Sequence, residues 1–143
     1  LSLDDYRRLE QANGLLEASE VHDNLYGTPR DQVQSALRSG RDAILKIDVQ
    51  GADKVREEVP DSLLIFVVPP SLEELEARLR GRGTEAPKDL ETRLRNARLE
   101  MARKDEFDHV VVNETDKVDE TAMEIDAIIA AEHERHADRS IVV

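Results

Sequence analysis

The chain has 143 residues, 36% of them charged, with 3% aromatic side chains, no cysteine and a net charge of −12. That length suits one domain with a real core and is short for two, while the absence of cysteine rules out disulfides and thiolate metal sites. The acidic balance argues against a nucleic-acid backbone or an anionic membrane as partner, no run of about 18 apolar residues occurs, and no charged-then-apolar leader opens the chain, so a soluble, cytoplasmic protein is expected.

Ser2 with Asp5 three residues on reads as an N-cap, which predicts a helix to about Asn13 with a stop at Gly14. Leu15–Val21 (LLEASEV) reads as a strand with Leu16, Ala18 and Val21 inward and Glu17 and Ser19 on the other face. His22-Asp23-Asn24 reads as a turn. Tyr26-Gly27-Thr28-Pro29 then leads into a second helix, with Thr28 as N-cap, Pro29 in the first helical position, Asp31 in the first turn and Gly40 past the end.

In Ala43–Gly51 (AILKIDVQG), the apolar Ala43, Ile44, Leu45, Ile47 and Val49 nearly fill both faces, which predicts a strand buried inside a parallel sheet. Asp48 then falls at the carboxyl end of that strand, the side on which open α/β sheets bind ligands. Gly51 opens the next helix and lets a backbone come close to whatever binds there. On this stretch alone Asp48 reads equally well as a ligand group and as the cap of the following helix.

A helix over Gln50–Val59 is closed by Pro60, and Leu63–Val68 is a second fully apolar run, ended by two prolines. Ser71 and Glu74 form a capping-box pattern for a helix through Arg80, which Gly81-Arg82-Gly83-Thr84 interrupts with loop chemistry. An Arg-rich helix over about Lys88–Lys104, a third apolar strand His109–Asn113 and a last helix over Lys117–His136 follow, and the tail from Ala137 to Val143 is expected to fray. Strands alternating with helices predict an α/β fold with a parallel core, extended by the Leu15–Val21 region as a separate lobe.

Charge is unevenly spread. Between Arg78 and Lys104 lie 9 of the 20 Lys and Arg residues against four acids, a net +5 inside an anionic chain. Such a window suits a compact anion such as a nucleotide phosphate better than a long polyanion; a solvated helix laced with i,i+4 pairs is the plainer reading. His133 and His136 share a helix face beside Glu132 and Glu134, which as a pair on a solvated helix is weak ground for a metal site.

Taken together, LLEASEVHDNLYGTP, ILKIDVQG, FVVPPSLEELEARLRGRGTE, the following ETRL and VVVN resemble the guanylate kinase family in order and spacing, from Leu1 to about His133. Each piece alone is a weak signal, and their succession is a specific one. The resemblance implies a parallel sheet flanked by helices, of the kind seen in phosphate-loop kinases. A small GMP-binding lobe would cover residues 1–40, the core 41–77 and 105–136, a lid with its following helix 78–104, and a tail 137–143.

It further implies that Glu17 accepts hydrogen bonds from N1–H and the 2-amino group of guanine, since a carboxylate matches two donors on one edge. Thr28 and Asp48 would contact the same base with Gly51 beside them, and Tyr26 would reach the GMP phosphate, against the alternative of a core aromatic with a wet tip. Arg78, Arg82 and Arg93 resemble the arginines that clamp the transferring phosphate, with the Gly81/Gly83 pair as hinge. Asn113, like Arg82, is expected at the ATP.

ATP and Mg²⁺ would be the cosubstrate and cofactor, and GMP or dGMP the acceptor. Two departures stand out. Lys46 occupies a position where an acidic residue is expected and could pair with a phosphate or disturb metal-bound water. No G-x-x-x-x-G-K-[ST] loop occurs in these residues; a first strand and phosphate loop are therefore expected outside this stretch, with most of the Mg²⁺ site. The stretch alone is expected to be inactive, with apolar edges that favour aggregation, a homodimer or a domain swap. A peptide-binding guanylate-kinase-like module and a related sugar-phosphate kinase are the rival readings. Retention of Glu17, Tyr26, Asp48, Arg82 and Arg93 puts the enzyme ahead of both.

Overall fold

The structure is a computed structural model that describes residues 2–21, 24–81, 87–136, 141 and 143, apart from the side chains of 21 and 87–89. It divides into two compact units, Leu1–Ser62 with Arg139–Val143, and Leu63–Asp138.

In the first unit α1 spans Leu3–Gln11, β1 Leu15–Val21, β2 Asn24–Pro29, α2 Arg30–Arg38 and α3 Val49–Glu58. The Ser2 hydroxyl accepts from the Asp5 amide at 3.1 Å, as expected of an N-cap. The left-handed residue after α1 is Asn13 (φ 53°) rather than Gly14, since an Asn side chain tolerates that conformation. Gly14 sits close against α1 instead: a Cβ there would stand 3.1 Å from Leu9 Cδ2 and 3.3 Å from the Leu9 carbonyl oxygen.

β1 pairs antiparallel with β2, Glu17 opposite Thr28 and Ser19 opposite Tyr26. Strand β2 replaces the expected lead-in to the second helix. The register shifts between Leu15 and Glu17, so Leu16 is the extra residue of a bulge. That bulge breaks the alternation read from the sequence and lets Leu15, Leu16 and Glu17 all be buried in succession.

Helix α2 begins one residue later than expected, capped at Pro29 with no side-chain bond, because Thr28 lies in strand β2 and turns its hydroxyl to Glu17. Arg30 ties three elements together: its Nη2 donates to Glu58 Oε2 at 3.0 Å and to the Leu15 carbonyl at 3.4 Å.

The core of this unit is Leu16, Val33, Val55 and Val59, with Leu37, Ala43, Leu45, Ile47, Ile141 and Val143 packed against it. Burying each such side chain contributes roughly 1.5–3 kcal/mol. The expected central strand is not formed: Ala43–Asp48 pairs with no strand among the described residues. Its apolar content suits burial on two faces, but a strand needs a neighbour to supply ladder hydrogen bonds. Here only one face is in the core, and Ile44 is 77% exposed.

Ile141 and Val143, expected to fray, are packed on the core instead. The Gln34 amide donates to the Val143 carbonyl at 2.5 Å.

The second unit holds β3 (Ile65–Val68), α4 (Leu72–Gly81), α5 (Pro87–Met101), a 3₁₀ turn (Lys104–Glu106), β4 (His109–Val112) and α6 (Val118–Arg135). β3 and β4 run parallel, Ile65 beside His109 through Val68 beside Val112, and parallel neighbours require a long crossover, here carrying α4 and α5. Val111 is fully buried. Asp108 locks the entry by accepting the Leu64 amide at 2.8 Å, and Phe66 meets Phe107 edge-on at 4.8 Å.

Candidate functional site

In the first unit, β1, β2 and the start of α3 bring four of the expected residues together. Glu17 is 4% exposed. Thr28 Oγ1 donates to Glu17 Oε1 at 2.8 Å, and Glu17 Oε2 is buried with no hydrogen-bond partner. A buried acceptor left unpaired costs about 1–3 kcal/mol, more when charged, so this oxygen is an energetic liability unless a ligand meets it.

Asp48 caps α3 by accepting the Gly51 amide at 2.8 Å. Gly51 itself is buried, and a Cβ on it would lie 3.0 Å from Glu17 Oε2, 3.1 Å from Ile47 Cβ and 3.3 Å from Asp48 Oδ1. Both carboxylates therefore converge on the one residue that has no side chain. The arrangement offers acceptor oxygens to a ligand edge carrying N–H donors.

Tyr26 follows on β2 and is 55% exposed. Its carbonyl accepts from Tyr6 Oη at 3.2 Å. Tyr6 was missed in the sequence, where one tyrosine among the charges of α1 belongs to no motif. Burial above all, then the carboxylates of Glu10, Glu17 and Glu20, pushes its phenol above the ordinary value, so it keeps the donor proton. Lys46 is exposed.

In the second unit, Ser71 caps α4 by accepting the Glu74 amide at 3.1 Å. The Glu74 carboxylate does not complete a capping box. It accepts from Arg78 Nε at 3.2 Å and from the Thr115 hydroxyl, and these two donors hold its carboxyl below the ordinary range, Thr115 first.

Arg78 Nη2 donates to the Asn113 carbonyl and to Thr115 Oγ1, both at 2.9 Å, while the Asn113 amide continues the ladder to Val68 at 2.8 Å. Arg78 and Asn113 are thus joined at the carboxyl end of β4. Arg93 sits half-buried on α5, which packs against α4. Arg82, Gly83 and Thr84 lie outside the described residues, as do His22 and Asp23. Thr115 had no signal in the sequence.

The guanylate kinase family model matches residues 1–132. The chain belongs to the guanylate kinase family.

It is 42% identical over 137 residues to the guanylate kinase of Bordetella pertussis, covering 96% of this chain and 63% of that one. Against the guanylate kinase of Thermobifida fusca it is 46% identical over 127 residues, 89% and 64% of the two chains. The crystal structure of guanylate kinase from Anaplasma phagocytophilum superposes with a TM-score of 0.74 at 32% identity, over 92% of this chain and 63% of that one. The α/β class is thereby established, and the chain spans about 63% of the length of these guanylate kinases.

Among the described residues no three His, Cys, Asp or Glu side chains gather to hold an ion. No described helix is long and apolar enough to cross a membrane.

Proposed function

We propose that the chain supplies the acceptor-binding and phosphate-clamping residues of an ATP:GMP phosphotransferase that makes GDP from GMP, or dGDP from dGMP, in the cytoplasm. The observation that carries this reading is the buried, unpaired Glu17 Oε2 beside the bare Cα of Gly51.

Guanine presents N1–H and its 2-amino group on one edge. A carboxylate that is anchored by Thr28 on one oxygen and unpaired on the other matches that edge, whereas adenine's N1 is itself an acceptor and would face the carboxylate with repulsion. Asp48 adds a second acceptor from the start of α3. Tyr26, exposed on β2, has a phenol suited to the GMP phosphate.

Phosphoryl transfer spreads charge over the equatorial oxygens, and catalysis consists of positioning and neutralising it. Arg78, Arg82 and Arg93 take that neutralising role, with planar guanidinium forks that meet phosphate bidentately. Support for Arg78 comes from its place at the carboxyl end of β4, the side of an open α/β sheet that faces ligands. Asn113 at the same end takes the adenine of ATP. Residues 1–40 form the acceptor lobe in this reading and 78–104 the lid with its helix.

Isothermal titration of the chain with GMP and with AMP tests the base assignment. GMP is expected to bind more tightly, and Glu17→Ala to erase the difference; equal affinities in the unsubstituted chain would refute it. Coupled ADP release, measured on the full-length enzyme, tests the transfer itself.

A further inference from the structure

Three consecutive residues of β2 are fixed by different means. The Thr28 hydroxyl is bonded to Glu17. At Gly27 a Cβ would stand 3.3 Å from Tyr6 Cε2, 3.1 Å from Leu15 Cδ1 and 3.2 Å from the Glu17 carbonyl. The Tyr26 carbonyl accepts from Tyr6 Oη. One side chain, Tyr6, thus lays its ring over Gly27 and its hydroxyl on Tyr26.

A glycine inside a strand marks such a close approach, and Tyr6 is only 7% exposed. Tyr26, by contrast, is 55% exposed, so fewer neighbours constrain its side chain and the course of its own backbone weighs more in where the phenol points.

We propose that Tyr6 is a positioning residue for acceptor binding: through the Oη bond to the Tyr26 carbonyl, α1 sets the direction in which the Tyr26 phenol reaches the acceptor's phosphate. This rests on the reading that Tyr26 meets the phosphate. The ring and the hydroxyl have separable jobs, the ring filling the space over Gly27 and the hydroxyl orienting the carbonyl. The phenol remains protonated far above neutral pH, which keeps the donor in place across the working range.

The full chain, Tyr6→Phe, Tyr26→Phe and the double variant are compared by isothermal titration with GMP and with guanosine, alongside thermal unfolding. Tyr6→Phe keeps the ring and loses one hydrogen bond, so GMP affinity is expected to fall about five-fold with guanosine affinity unchanged. The double variant should bind GMP no more weakly than Tyr26→Phe alone, because Tyr6 acts through Tyr26. Equal losses for GMP and guanosine, additive losses in the double variant, or a lower melting temperature with the GMP-to-guanosine ratio preserved would each make Tyr6 a core residue only and overturn the proposal. If the unsubstituted chain fails to prefer GMP over AMP, the kinase reading falls first, and that is seen before any substitution is made.

Discussion

Gly51 shows how a single missing Cβ shapes the candidate site. Alanine at this position in α3 would gain roughly 0.5–1 kcal/mol of helix propensity over glycine. Against that, its methyl would press on Glu17 Oε2 at 3.0 Å and on Ile47 Cβ at 3.1 Å. Glu17 is held by Thr28 and buried, and Ile47 Cβ is attached to the backbone, so neither neighbour yields cheaply. The clash therefore wins, and Gly51→Ala is expected to lower the melting temperature and to weaken GMP binding at least ten-fold, about 1.4 kcal/mol; a stabilised variant with intact GMP affinity would show that the space is not used. Motif order names the candidate site residues, Glu17 and Asp48 among them. That Glu17 is buried is not legible there, because the bulge at Leu16 breaks the alternation from which inward and outward positions are read.

Among the elements, the start of α3 shows the capping reading of Asp48 directly. Its carboxylate does cap the helix, through the Gly51 amide, and it stands at the same glycine as Glu17. Asparagine is as good an N-cap as aspartate but carries no charge. Asp48→Asn should therefore keep the melting temperature within a degree or two while GMP affinity drops, whereas Asp48→Ala should lose both, with a cap cost of about 1 kcal/mol. Thermal unfolding and titration run on the pair decide it; unchanged GMP affinity in Asp48→Asn leaves the residue a cap alone.

Caps and breakers mark the helices closely in the sequence, since those signals are local. The strands are marked less plainly. β2 was hidden because Thr28-Pro29 carries helix-start chemistry, and Ala43–Asp48 has the apolar content of an interior strand without a described partner. At the far end of α4, Thr115 and Glu74 hold Arg78 against the Asn113 carbonyl. That tie joins residues 35 and 37 positions apart, a separation no local pattern reports.

For the whole molecule, charge is the dominant long-range feature. Ion pairs such as Arg8–Asp5, Lys54–Glu57, Arg80–Glu76, Lys117–Glu114 and Arg135–Glu132 are i,i+3 or i,i+4 contacts with partly exposed side chains, each worth about 0–1 kcal/mol, against the self-repulsion expected of a −12 chain. Raising NaCl from about 20 to 200 mM shortens the Debye length from roughly 20 to 7 Å, and the thermal unfolding midpoint should rise; a fall would mean that attractive pairs outweigh repulsion. The sequence by itself determined the family, the α/β class and the helix boundaries to within a few residues, and it named the candidate site side chains, because motif order, capping chemistry and hydrophobic period are written along the chain. Only the tertiary structure decided which of those side chains are buried or left unpaired, which apolar segment joins a ladder, and that Tyr6 reaches Tyr26, because burial and hydrogen-bond partnership are properties of neighbours that folding brings together from distant positions.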